Sequence, residues 1–181
     1  APLSDILSVS LKTSDNTMTE VEGRLVAAHA KETTDFAGAS KAVLAQLRKD
    51  GFDTSGVTLQ DSSGLAKGNK VPARLLAQIL TKAAGGEGGS VGRTLIADLP
   101  VAALDGTLKK RLHDTTAAGT VRAKTGSLEQ TASLAGVVTT ADGRQLAFAV
   151  LANNIPAGTS ETVAAVMDNH FVAPLASCGC S

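Results

Sequence analysis

The run from Val121 to Asn153 restricts the possible folds more than any other stretch. Val121-Arg122-Ala123-Lys124-Thr125-Gly126-Ser127-Leu128 leads into small and β-branched residues from Thr131 to Thr140, Asp142-Gly143 interrupts, and a second apolar run follows from Leu146 to Ala152. This pattern predicts an antiparallel hairpin with an Asp-Gly turn. Lys124, Thr125 and Ser127 then set an ammonium and two hydroxyls along the first strand. Such a set suits a carboxylate, because each hydroxyl can donate while the lysine adds charge. Gly126 lets a ligand come close to the backbone.

Helical periodicity dominates the rest. Pro2 to Lys12 reads as a short helix with Leu3, Ile6 and Leu7 on one face,. Thr13-Ser14-Asp15-Asn16 interrupts it, and a second helix is expected from about Thr17 to Lys31, with Thr17 and Glu20 as a capping box and Met18, Val21, Leu25 and Val26 inward,. Thr33-Thr34-Asp35 should cap a third helix, Phe36 to about Lys49, with Phe36, Val43, Leu44 and Leu47 inward and Asp50-Gly51 ending it,. Val57 to Gln60 reads as a short strand and residues 61–65 as a turn. A fourth helix follows Pro72 and runs to about Ala84,. Gly85 to Gly89 reads as a loop, Gly92 to Leu99 as helical, and Leu104 to Leu112 as a turn into a short helical piece. Ser160 to about Val172 makes a last helix, with Val163, Val166, Met167 and Phe171 inward. Helices, then a hairpin, then a helix give an α/β (α+β) class: an antiparallel sheet with packed helices.

The totals exclude several functions. Lysine plus arginine and aspartate plus glutamate stand at 17 each, so no basic footprint favours nucleic acid,. No apolar run reaches the roughly 18 residues that span a bilayer. Four phenylalanines and no tryptophan or tyrosine leave little for stacking bases or sugars,. His29, His113 and His170 are scattered, and no metal or cofactor constellation is visible. Cys178-Gly179-Cys180 cannot complete a zinc site, and a bridge between residues two apart would be strained,. The pair therefore reads as a frayed tail or a link to another segment or chain. A Ser-His-Asp triad lacks its Gly-x-Ser-x-Gly elbow.

What remains is hydroxyl-plus-lysine chemistry. Ser14-Asp15-Asn16 could simply cap a helix. Its occurrence together with Lys124-Thr125-Gly126, in that order, is expected by chance in on the order of one in a thousand chains of this length. These tripeptides are the second and third motifs of the serine penicillin-recognising enzymes, whose first is Ser-x-x-Lys. Pro2-Leu3-Ser4-Asp5-Ile6, Asp61-Ser62-Ser63-Gly64-Leu65, Leu99-Pro100-Val101 and Asp105-Gly106-Thr107-Leu108 extend the likeness over nearly the whole chain. It resembles the low-molecular-mass class C penicillin-binding proteins, the D-alanyl-D-alanine carboxypeptidases and endopeptidases.

The resemblance implies a partial penicillin-binding-protein/β-lactamase-like transpeptidase fold. Residues 1–181 would be the carboxy-terminal portion of one domain: a mostly helical part at 1–115, and the hairpin and last helix at 120–175. It implies catalytic roles for Ser14 as proton relay, Asn16 as a hydrogen-bond partner of the substrate amide, and Lys124 as the source of positive potential. Asp15 would brace the turn. Thr125, Gly126, Ser127 and Leu128 would bind substrate, with the Ser127 N–H as half of an oxyanion hole. Peptidoglycan D-Ala-D-Ala peptides and β-lactams would be the ligands, and the location would be extracytoplasmic. No serine here has a lysine three residues on. The nucleophile is thus expected from a missing amino-terminal segment or chain, which also supplies the strand beside the hairpin, and this chain alone is expected to be inactive. A non-catalytic module that binds cell-wall peptide is the alternative from another class, and a β-lactamase is a third.

Overall fold

Alternation along residues 121–153 produces three strands rather than two. The computed structural model describes residues 1–179. In it β1 (Val121–Leu128), β2 (Thr131–Thr139) and β3 (Gln145–Asn153) form an antiparallel sheet in the order β1-β2-β3. Leu128 pairs with Thr131, so Glu129 and Gln130 alone turn the chain between β1 and β2. Neither has a positive φ, and neither is the glycine or asparagine that marks most two-residue turns,. That turn is therefore invisible as a sequence signal. The Asp-Gly turn lies where expected, between β2 and β3, with the Gly143 N–H bonded to the Thr140 carbonyl at 2.9 Å.

The helices are α1 Leu3–Thr13, α2 Asn16–His29, α3 Phe36–Lys49, α4 Ala73–Ala84, α5 Gly89–Asp98, α6 Ser160–Met167 and α7 Ala173–Ser177. A 3-10 turn spans Gly106–Leu108, and α6 joins α7 through a π-helical step at Asp168–Val172. The fold is thus the expected mixture of helices and an antiparallel sheet. No helix among the described residues is long and apolar enough to cross a membrane. Cys180 lies outside the described residues, and with it the question of its pairing with Cys178.

The chain separates into two compact units, Ala1–Ser14 with Leu76–Ser181 and Asp15–Leu75. In the first, strand side chains alternate between faces. Val121, Ala123, Leu134, Val138 and Phe148 pack with Val172 and Ala176 of the carboxy-terminal helices. Val137 packs on the opposite face with Leu80 and Ala83 of α4 and Ile96 of α5. The last helix departs from the expected straight stripe. The π step adds a residue to one turn, so Met167 and Val172 are buried while Val166 and Phe171 are 52% and 39% exposed.

The second unit departs further. Asp15, not Thr17, caps α2, accepting from the Met18 N–H at 2.9 Å. Glu20 makes no capping box because its carboxylate accepts from the N–H groups of Ser62 and Ser63, at 3.1 and 2.8 Å. The expected α2 stripe is largely outside: Val21 and Leu25 are 49% and 53% exposed. Instead α2 meets α3 through Ala27, Ala39 and Ala42. A Cβ on Gly23 would lie 2.0 Å from the Ser62 Oγ, so only glycine permits that approach. Helix α3 has the expected bounds, and Asp35 is the member of the expected Thr33-Thr34-Asp35 cluster that caps it, but Phe36 is 50% exposed. It lies under the Arg24 guanidinium, 5.2 Å from the ring centre,. The expected strand at Val57–Gln60 reduces to one bridge, Thr58 with Lys70.

Candidate active site

Helix α1 ends in a way that turns a serine outward. Ser14 is its C-cap, at φ 55 and ψ 46, and its N–H bonds to the Ser10 carbonyl. A left-handed cap is usually glycine. Here it carries a hydroxyl, which accepts from the Lys124 ammonium at 2.7 Å across 110 residues of sequence. The ammonium also donates to the Thr125 carbonyl at 2.8 Å. Burial pushes the Lys124 pKa below the ordinary lysine value, because a half-buried ammonium loses hydration that these bonds only partly replace,.

Thr125 and Ser127 project from the face of β1 opposite to Lys124, since successive strand residues alternate,. The three can converge on one ligand only because β1 is an edge strand. Its first half is covered: the Ala123 N–H bonds to the Pro100 carbonyl at 2.9 Å, and the Val121 carbonyl accepts from Ala102 at 3.0 Å. Residues two apart send their N–H and C=O to the same side. The N–H groups of Thr125 and Ser127 are therefore directed to the outer edge, which no strand pairs among the described residues. A Cβ at Gly126 would lie 2.4 Å from the Ser133 Oγ, so a larger residue there would turn that hydroxyl to another rotamer. Leu128, 37% exposed, is the last residue of β1.

Ser14, Thr125 and Ser127 line one cleft of about 810 Å³, closed on another side by Thr107, Arg111 and Asp168. The Thr125 hydroxyl donates to the Thr107 hydroxyl at 2.9 Å. Arg111 grips the buried Asp168 carboxylate with two nitrogens, at 2.8 and 2.6 Å. Asp105 accepts from the Val101 N–H at 2.7 Å and pairs with Lys12 on the helix that carries Ser14. Burial raises the Asp105 carboxyl, but the hydrogen bonds from Lys12 and Val101 outweigh it and bring it below the usual aspartate range,.

Four expected residues, Ser14, Lys124, Thr125 and Ser127, thus stand within one unit. Asn16 opens α2 in the other unit, where Asp15 braces the turn as its cap. Sequence reasoning did not assign Thr107, Arg111 or Asp168 any part. Asp105-Gly106-Thr107 was visible as a motif, but Arg111 and Asp168 lie 57 residues apart and no spacing links them.

Chemically, the arrangement has an amine and a hydroxyl in contact, further hydroxyls lining one cleft, and an edge strand with outward N–H groups. Residues 1–173 match the D-Ala-D-Ala carboxypeptidase 3 (S13) family. The chain belongs to that family. Carboxypeptidase DacB of Mycolicibacterium smegmatis is 44% identical over 99% of this chain and 39% of its own length. The D-alanyl-D-alanine carboxypeptidase of an Actinomadura species is 37% identical over 84% of this chain and 29% of its own. Among solved structures, penicillin binding protein 4 from Haemophilus influenzae, complexed with a β-lactam, superposes with a TM-score of 0.80 at 33% identity, covering 88% of this chain and 37% of that one. The chain thus spans well under half the length of the relatives it matches. A β-lactamase shares the fold alone, at 20% identity and a TM-score of 0.64.

Proposed function

We propose that this chain supplies two walls of the active site of a serine D-alanyl-D-alanine carboxypeptidase/endopeptidase. Its substrates are peptidoglycan stem peptides, β-lactams acylate it, and it works outside the cytoplasm, where such peptides are found. In this reading residues 1–181 are the carboxy-terminal portion of one transpeptidase-type domain. The Ser-x-x-Lys nucleophile comes from an amino-terminal segment or chain, and this chain alone does not turn over.

The Ser14 hydroxyl relays a proton between the segment's lysine and the leaving amine, which a hydroxyl can do as both donor and acceptor. Asn16 hydrogen-bonds the substrate's peptide group. Lys124 orients Ser14 and sets a positive potential at the terminal carboxylate, which Thr125 and Ser127 bind. The Ser127 N–H gives half of the oxyanion hole, aimed at charge that develops only in the transition state. The backbone of Ser127 to Glu129 pairs with the extended peptide. The observation that carries the reading is the 2.7 Å contact between Lys124 Nζ and Ser14 Oγ, which joins the two motifs.

The test is labelling with a tagged penicillin, with and without the segment that bears Ser-x-x-Lys. A covalent adduct on a serine of that segment is the expected result. No adduct on the combined protein overturns the reading. The sequence has no serine followed by lysine at the third position, which favours a second reading: a non-catalytic module that binds cell-wall peptide reversibly. Saturable, reversible binding with no acylation of the combined protein is its signature.

A further inference from the structure

Thr107 is one of the polar side chains in the cleft for which the reading above has no use. Its placement is tightly determined. Gly106 before it has a φ of +55, and a Cβ there would lie 2.9 Å from the Lys12 carbonyl oxygen and 3.0 Å from Pro100 Cβ. Asp105 ties the same turn to Lys12 and to the Val101 N–H. Leu108 after it is fully buried in the sheet core, and Arg111 clasps Asp168 on the π step. A hydroxyl fixed from both sides in this way stands 2.9 Å from the Thr125 hydroxyl.

Two hydroxyls in contact share one proton and keep one free. If Thr125 donates to Thr107, it can offer an incoming carboxylate only lone pairs, which repel an anion. If Thr107 donates, the Thr125 proton is released toward the ligand. The Thr125 hydroxyl is the only protein partner seen for the Thr107 hydroxyl among the described residues. In this structure Thr125 donates to Thr107. We infer that Thr107 is a positioning residue: when a carboxylate enters, the pair reverses, Thr107 donates to Thr125 Oγ1 and the Thr125 proton turns toward the ligand, so that this cleft selects peptides and β-lactams with a free carboxylate. The inference deepens the function proposed above and rests on it.

The hydroxyl pair also explains the choice of residues. An alcohol can pass donor character along a chain of oxygens, whereas a second lysine in place of Thr107 would compete with Lys124 for the same anion. The segment from Asp105 to Arg111 thereby has a purpose beyond closing the core. It joins the Ser14 helix, the β1 edge and the last helix around one hydroxyl.

The experiment compares acetyl-D-alanyl-D-alanine with its carboxamide. Affinity for each is measured by NMR titration of the full chain in wild type, Thr107→Val and Thr107→Ser. Wild type is expected to favour the acid. Thr107→Val, close in volume but without the hydroxyl, should lose about tenfold to a hundredfold in affinity for the acid, the range for a hydrogen bond to a charged group, and little for the amide. Thr107→Ser should retain most of the preference. A valine variant with an unchanged acid-to-amide ratio overturns the inference. So does a parallel loss for both ligands, which marks a merely structural role, or a wild type that does not discriminate. Penicillin labelling of the protein with its nucleophile is read separately. Its failure removes the proposed catalysis, while the acid-to-amide ratio still decides the role of Thr107.

Discussion

The two units of this chain are stabilised by opposite means. In the unit built on the sheet, branched side chains fill the space between β1–β3 and the carboxy-terminal helices, and Leu134, Val121 and Val138 are fully buried. In the unit from Asp15 to Leu75, helices α2 and α3 touch through Ala27, Ala39 and Ala42 while larger side chains stand outside. Carboxylates do much of the remaining work there, Glu20 and Asp61 each collecting backbone N–H groups from the 61–66 turn. Bulk secures one unit, and closeness with hydrogen bonds secures the other. Ser14, Thr125 and Ser127, which line the cleft, and Lys124, which bonds to Ser14, sit in the bulky unit, where a packed sheet can fix their directions.

That contrast can be broken most directly by truncation. Leu134→Ala should cost about 2–5 kcal/mol in urea unfolding, as buried leucine deletions do. Leu25→Ala, at a site 53% exposed, should change stability by less than about 0.5 kcal/mol,. Equal losses would end the distinction. Enlargement should show the reverse sensitivity. Ala27→Leu, at a fully buried contact between α2 and α3, should cost about 1–3 kcal/mol from overpacking, despite the better helix core that periodicity alone would anticipate,.

Charge gives the next largest effect. Lys124→Met should weaken binding of acid-ended ligands by roughly tenfold to a hundredfold, the range for a lost charge-assisted hydrogen bond. Because burial lowers the Lys124 pKa, wild-type affinity for the acid should fall with rising pH earlier than an ordinary lysine would allow,. Lys124→Arg should remove that alkaline limb, and a limb that survives the substitution assigns it to another group.

The smallest effect concerns acid. Burial alone would raise the Asp61 pKa, but hydrogen bonds from Asn69, Ala66 and Gly64 outweigh it and lower it below the usual aspartate value. Its contribution is thus complete above roughly pH 4 and is lost as the pH falls through the depressed value. Asp61→Asn should cost about 1 kcal/mol at neutral pH and flatten the acid limb of stability, measured by urea unfolding at several pH values.

The parts legible in the sequence are those where local chemistry and tertiary structure agree. The Asp35 cap and the Asp50-Gly51 stop gave the bounds of α3, and alternation gave the strands. The pairing of Ser14 with Lys124 came from motif and resemblance, not from periodicity. The failures have one physical form: a distant partner took over a group that local rules had assigned. The 61–66 turn took Glu20 from its capping box, alanines at the α2–α3 contact replaced the Met18, Val21, Leu25 and Val26 stripe on α2, and Thr107 became visible only beside Thr125. The Glu129-Gln130 turn was missed because it carries no turn residue at all.

The winding at Asp168–Val172 has a consequence for any engineered or natural length change nearby. The Ala173 N–H reaches back to the Asp168 carbonyl, five residues away rather than four, so the segment stores one surplus residue,. That surplus acts as a phase shifter. It lets one rod turn a carboxylate toward Arg111 and, a few residues later, aliphatic groups toward the sheet. Excising a single residue there would rotate everything downstream by about 100°. Val172 and Ala176 would leave the core, although the composition of the segment would hardly change.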